Sequence, residues 1–221
     1  MAKSIAIDGP AGAGKSTIAK MVAKDLGFIY VDTGAMYRAM ALYLIRQGID
    51  RDDTASIERA CEDADITISY IDGAQVVLLA GENVNAYLRT EEVGNMASSS
   101  SANPKVREKL VALQQKLASE KDVVMDGRDI GTVVLPDSKC KIYLTASSKV
   151  RAKRRYDELV AKGESCDIDK IEADIIERDH RDSTREHSPL RQAEDAVLID
   201  SSDMSIKEVS DAIMAIAKER L

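Results

Sequence analysis

Tryptophan is absent from the 221 residues and phenylalanine occurs once, so the chain is a poor stacking platform for single-stranded nucleic acid. Positive charge is in deficit too. Lys and Arg number 31 against 38 Asp and Glu, leaving a net charge of -7. That balance repels a polyanion and argues against sequence-independent nucleic-acid binding, while local basic patches can still hold a small phosphorylated ligand. No apolar run approaches the roughly 18 residues of a spanning helix. The Met1-Ala2-Lys3-Ser4 start leads directly into a strand-like segment without signal-peptide organisation, so a cytoplasmic protein without a membrane partner is expected. Cys61, Cys140 and Cys166 are odd in number and lack the paired spacing of a zinc site or a disulfide scaffold, which leaves reduced, structural thiols. Neither His180 nor His187 has a neighbour suited to sharing a metal.

What is present suits a globular enzyme. A 44% hydrophobic content can furnish a core, and 31% charged residues exclude a low-complexity chain. The length allows one α/β core with a small inserted lobe. Ser4 to Asp8 reads as a buried strand, followed by a Gly-rich stretch and a helix whose Ile18, Met21, Val22 and Leu26 share one face before Gly27 stops it. Phe28 to Asp32 is a second strand. Thr33-Gly34 then turns into a helix running to about Gln47, with Met36, Met40, Tyr43 and Leu44 on its inner face.

Ile66 to Tyr70 and Gln75 to Ala80 flank a turn signal and predict a hairpin, and the Ser98 to Ser101 run predicts a flexible joint after it. Residues 66–102 are therefore expected as an inserted lobe. Asn103 with Pro104 starts a helix that turns Val106, Leu110, Leu113 and Leu117 inward. Asp122 to Asp126, Lys139 to Leu144 and Ala196 to Asp200 are short apolar strands alternating with helix-forming sequence, which predicts a parallel sheet. Ser205 and Glu208 have capping-box spacing before a final helix expected to bury Ile206, Val209, Ile213 and Ile216.

Gly9-Pro10-Ala11-Gly12-Ala13-Gly14-Lys15-Ser16 fits Gly-x-x-x-x-Gly-Lys-Ser/Thr between a strand and a helix, the context its mechanism requires. Successive backbone N–H groups and the helix dipole cradle phosphate, Lys15 reaches the outer phosphates, and Ser16 can ligate Mg²⁺. Thr17 is a further phosphate contact. ATP binding follows as the expectation, with the acceptor still open. No Asn is followed by Lys, which removes the guanine-reading motif of a switch GTPase.

The segments Asp32 to Arg38 and Asp126 to Asp129 each follow a strand. In an open parallel sheet, strand C-termini open onto the ligand crevice, so Arg38 and Arg128 could clamp an anionic acceptor opposite the phosphate loop. Arg151 and Arg155 share a helix face at i, i+4 and could share a nucleotide or simply coat an exposed helix, as could Lys153 and Arg154. The charge-dense run Glu177 to Arg185 is as well explained by a salt-bridged surface helix.

Taken together, Asp8 to Ser16, Asp32 to Arg38, Asp126 to Val134 and Glu177 to Asp179 resemble bacterial cytidylate kinases, in order and spacing and over nearly the whole chain. The resemblance implies an α/β fold of the P-loop nucleoside monophosphate kinases: three layers, a parallel sheet flanked by helices, with a small inserted NMP-binding lobe and a LID. Residues 1–65, 103–148 and 167–221 would form the core, 66–102 the NMP lobe and 149–166 the LID. The γ-phosphate of ATP would move to CMP or dCMP, with Mg²⁺ as cofactor. By the same resemblance Arg38 and Arg128 hold the CMP phosphate, and Arg178 and Asp182 address the sugar. Ser98, Arg107, Asp129 and Arg185 surround the cytosine, with Thr33, Tyr37 and Asp126 at the same site. Thr33 stands where the family motif often has Ser, and its hydroxyl is retained. Arg151 and Arg155 resemble LID arginines and join the phosphate-loop residues Gly9 to Thr17 on ATP. Lys15, Arg128 and Arg155 are the expected catalytic residues. ATP and CMP or dCMP are the expected partners, and a monomer the expected state. The competing expectations are a kinase for UMP, AMP or shikimate on the same core, and a non-catalytic module that uses ATP to order its lobes.

Overall fold

A computed structural model describes residues 2–221. β1 (Ser4–Asp8), β2 (Ile29–Asp32), β6 (Val123–Gly127), β7 (Cys140–Thr145) and β8 (Val197–Asp200) form one parallel sheet in the order β2-β6-β1-β7-β8. Because successive strand side chains point to opposite faces, Ile5 and Ile7 enter one core with α1 (Lys15–Leu26) and α8 (Ile206–Arg220). Ala6 enters the other, with Met36, Met40 and Leu44 of α2 (Thr33–Arg46) and Leu110 of α5 (Pro104–Glu120). Helices on both faces explain why the strands are apolar throughout rather than alternating.

The hairpin is β3 (Ile66–Ile71) and β4 (Ala74–Leu79), paired antiparallel with a short β5 (Glu82–Asn83). Asp72 and Gly73 both have positive φ, as a two-residue primed turn requires. α3 (Thr54–Asp63), capped by Asp53, precedes the hairpin and buries Ile57 and Cys61; it was not marked from the sequence. α6 (Ser148–Ala161) and α7 (Ile168–Thr184) are a helical pair leading back toward β8. The described cysteines are free, and no described helix is long and apolar enough to cross a membrane.

Two local expectations are corrected. The Ser98 to Ser101 run is no flexible joint: it closes α4 (Glu91–Ser100), which Thr90 caps by accepting from the Val93 amide. The hydroxyl of Ser99 donates back to the carbonyls of Asn95 and Met96, and that of Ser101 to Ser98. These bonds satisfy polar side chains that would otherwise compete with the helix, while Val93, Met96 and Ala97 anchor it in the same apolar cluster as α2. In α8, Val209 and Ile213 are buried but Ile206 is 55% exposed, because it is the first residue after the Ser205 cap and points off the end of the buried stripe.

Candidate active site

The phosphate loop is shaped by close approach. Gly9 has φ +148, and a Cβ there would stand 1.9 Å from the Leu144 carbonyl oxygen of β7, so no other residue fits. Gly14 enters α1 in the left-handed region at φ 86. Arg151 braces the loop. Its guanidinium donates to the carbonyls of Ala146 at 2.8 Å and Ala11 at 3.0 Å and to the Asp179 carboxylate at 2.6 Å. Pro10 accepts from the Lys15 ammonium at 2.7 Å. Burial, reinforced by the positive charge of Arg128, draws that ammonium down to about 7, so an anion beside it would be strongly favoured.

The groove over this loop is lined by Gly12 to Thr17 and, from α6, by Arg151, Arg154 and Arg155. Arg154 is fixed on Ser201, donating to its carbonyl at 2.7 Å. Arg155 pairs at 3.0 Å with Glu158 on the exposed side of α6 and is the most exposed of the three. Ser16 donates to the Asp126 carboxylate at 2.9 Å, and Tyr30 to its other oxygen at 2.8 Å. This buried carboxyl is pushed up by burial and by Asp32.

A cavity of about 250 Å³ adjoins the loop and reaches from Lys15 and Ser16 across to Thr33, Tyr37 and Arg38 of α2. Thr33 donates to the Asp126 carbonyl at 2.7 Å, tying the start of α2 to the end of β6. Gly34 makes room: a Cβ there would lie 3.1 Å from the Arg38 guanidinium and 3.2 Å from the Asp32 carboxylate. Arg128 donates to Asp182 at 2.8 Å. Arg178 stands beside them with a buried Nε that has no partner among the described residues. Burial first, and then Arg128, pulls the Arg178 guanidinium down to about 10. Arg38 is pulled down by burial as well. Asp182 offsets Arg128 and Arg178, and Asp126 faces Lys15 and Arg38, yet basic side chains still outnumber carboxylates along the cavity, an excess of cation that calls for an anionic ligand.

At the far end of the cavity Asp129 forms a buried ion pair with Arg107 and lies 3.8 Å from Arg185. Arg107 also sits over the ring of Tyr37, whose hydroxyl is buried without a partner among the described residues and is pushed up to about 12 by burial. Ser98 and Ser101 of the α4 end line the same region, and Ser101 accepts from Arg107 at 3.2 Å. A carboxylate, guanidinium groups and an unpaired hydroxyl in one buried pocket can read a polar heterocycle.

Every residue expected at the acceptor side therefore lines one cavity, with Arg178 and Asp182 carried there by α7 and Arg185 by its C-cap. The charge-dense run is a half-buried face and not merely a solvated one. Arg89, paired with Asp32 at 3.3 Å, lines the same cavity without a sequence signal; Gln75 stands outside that lining, its amide donating to and accepting from the Asp32 backbone and so holding the hairpin to β2. Neither lies in a recognisable motif. Metal ligation by three or more His, Cys, Asp or Glu side chains has no cluster among the described residues.

A family model described as Cytidylate kinase matches residues 5–219. A protein named Cytidylate kinase from Geobacter sp. (strain M21) is 48% identical over 217 residues, covering 98% of this chain and 93% of that one. Another, from Caldicellulosiruptor saccharolyticus, is 50% identical over 211 residues, covering 96% and 93%. The crystal structure of an uncharacterized protein from Eubacterium ventriosum shares 12% identity with a TM-score of 0.52 over 99% of both chains, a likeness of fold alone.

Proposed function

This chain belongs to the cytidylate kinase family, and we propose that the two ends of its cleft divide the transfer of the ATP γ-phosphate to CMP or dCMP between them. The phosphate loop, Gly9 to Thr17, holds ATP, with Arg151 and Arg155 over it. Arg38 and Arg128 hold the acceptor phosphate, and Arg178 and Asp182 address the sugar. Ser98, Arg107, Asp129 and Arg185 enclose the cytosine, with Thr33, Tyr37 and Asp126 beside it. The observation that carries this reading is the convergence of Lys15 with Arg38, Arg128 and Arg178 on one cavity.

A phosphate monoester with a second pKa near ~6 arrives largely dianionic at neutral pH, so its oxygen needs no general base. Positioning and charge neutralisation dominate such transfers. Lys15, Arg128 and Arg155 supply the positive charge that offsets the negative charge on the phosphate oxygens as the phosphoryl group moves. Mg²⁺ would be held by Ser16, next to Asp126; a hydroxyl beside a carboxylate is an oxygen set suited to that hard cation. The ion supplies charge neutralisation on the phosphates when bound. Residues 66–102 act as the acceptor lobe and 149–166 as the LID, and their closure keeps water from the transferring phosphate. We further propose that a monomer is the acting unit and that it works in the cytoplasm.

Cytosine pairs an exocyclic amino donor with ring acceptors, which suits a carboxylate beside guanidinium groups, and uracil reverses part of that pattern. A panel of acceptors in an ADP-release assay tests the reading: rapid release with CMP and dCMP, and far less with UMP, AMP or shikimate. ADP release that is indifferent to added CMP contradicts it.

A further inference from the structure

The turn that follows β6 is unusual in how its first amides are satisfied. Residues Ile130–Val134 form one π-helical turn. The opening N–H groups of any helical turn have no intrahelical acceptor and ordinarily take one from the residue just before it. That residue is Asp129, among the best capping types, yet its side chain makes no capping bond. It faces Arg107 and Arg185 across the acceptor pocket instead. The cap comes from elsewhere in the chain: one oxygen of Asp8 accepts from the Ile130 amide at 2.8 Å and the other from Gly131 at 2.7 Å. Asp8 is 4% exposed and is the last residue of β1, directly before Gly9 of the phosphate loop.

We propose that Asp8 is a positioning residue for acceptor selection: by capping the 130–134 turn from β1, it frees Asp129 to read the base and ties Arg128 and Asp129 to the root of the phosphate loop. This rests on the assignment of Arg128 and Asp129 to the acceptor. The surroundings enforce the arrangement. A Cβ on Gly131 would lie 3.3 Å from the Asp8 oxygen and 3.2 Å from the Lys141 stem, so the turn approaches Asp8 as closely as glycine permits. Gly127 stands beside Asp8 on β6 and Tyr143 on β7. Lys15 from α1 and Asp129 from the turn are the charges that act on it. Burial pushes the Asp8 carboxyl up to about 6, against the pull of the two amides. Its carboxylate caps the turn fully above that value and lets go of one amide below it.

The test compares the whole enzyme with Asp8→Asn, which keeps the shape and places an amide N–H against one of the two donors. The Michaelis constant for CMP should rise about tenfold and the CMP:UMP ratio of kcat/KM should fall about tenfold, as loss of a hydrogen bond to a charged group implies, while KM for ATP stays within about threefold. In the ¹⁵N-labelled wild type, the Ile130 and Gly131 amide signals should titrate together with a midpoint near 6, and this titration should vanish in the variant. Gly131→Ala, which crowds the same contact from the opposite partner, should reproduce the loss of selectivity even if Asp8→Asn fails to fold. Unchanged CMP:UMP selectivity in the folded variants, an equal rise in KM for ATP and CMP, or amides that do not titrate would each overturn the proposal. A wild type without CMP-dependent ADP release would instead sink the assignment of the acceptor.

Discussion

The donor and acceptor halves of the cleft are built by opposite strategies. The donor half is one contiguous segment, Gly9 to Thr17, in which backbone amides and the N-terminal end of α1 supply the field. The acceptor half gathers single side chains from α2, the end of α4, α5, the loop after β6 and α7, and relies on buried guanidinium and carboxylate groups. A main-chain cradle tolerates most side-chain changes outside its glycines. A set of buried charges does not, because removing one partner strands another without its counter-charge. Among the phosphate-loop side chains the donor half should therefore fail chiefly through Lys15, and the acceptor half through many residues, each with a different signature.

The largest effect is expected on the donor side. Lys15→Ala should lower kcat by about 10²–10³-fold, the scale of losing one charged donor to a transition state, with the far-ultraviolet circular dichroism unchanged. A loss below tenfold would mean that the backbone cradle suffices alone. On the acceptor side, Asp129→Ala strands Arg107 and Arg185 and should cut the CMP:UMP selectivity about tenfold, with KM for ATP nearly constant in steady-state assays. An equal effect on both nucleotides would erase the contrast between the halves. The smallest effect concerns protons. Lys15 is held at about 7, below its ordinary 10.5, so at about pH 8 it is mostly neutral. Adjacent phosphates favour its charged form. ATP binding at that pH should take up close to one proton, read from the dependence of calorimetric heat on buffer ionisation, and the uptake should disappear as pH falls below about 6, where Lys15 is already charged. Lys15→Ala should abolish it.

The same contrast explains what could be read from the sequence. The phosphate loop, its flanking strand and helix, and the hairpin with its Asp72-Gly73 turn obey local rules of spacing and turn chemistry, and they stand where those rules put them. Asp32 to Arg38 and Asp126 to Asp129 were legible as segments at strand C-termini facing a common crevice. The roles implied for Arg178, Asp182 and Arg185 came from family resemblance, since pattern alone fits a solvated helix equally well. The Ser98 to Ser101 run misled because four serines in succession read as a loop, whereas back-bonded hydroxyls and the apolar face of Val93, Met96 and Ala97 make it the end of a helix. Asp8 and Gln75 carried no local signal at all. Their acceptors and donors lie more than forty residues away, where only the assembled sheet brings them into contact.

That both halves serve one reaction is best tested with a single ligand that spans them, cytidine and adenosine joined through their 5′ positions by five phosphates. One cleft requires this compound to compete with ATP and with CMP alike and to bind at least about 100-fold more tightly than either, as linking two occupied sites allows. Competition with only one nucleotide, at an affinity no better than that nucleotide's own, would show that Lys15 and the arginine cluster do not face a shared space.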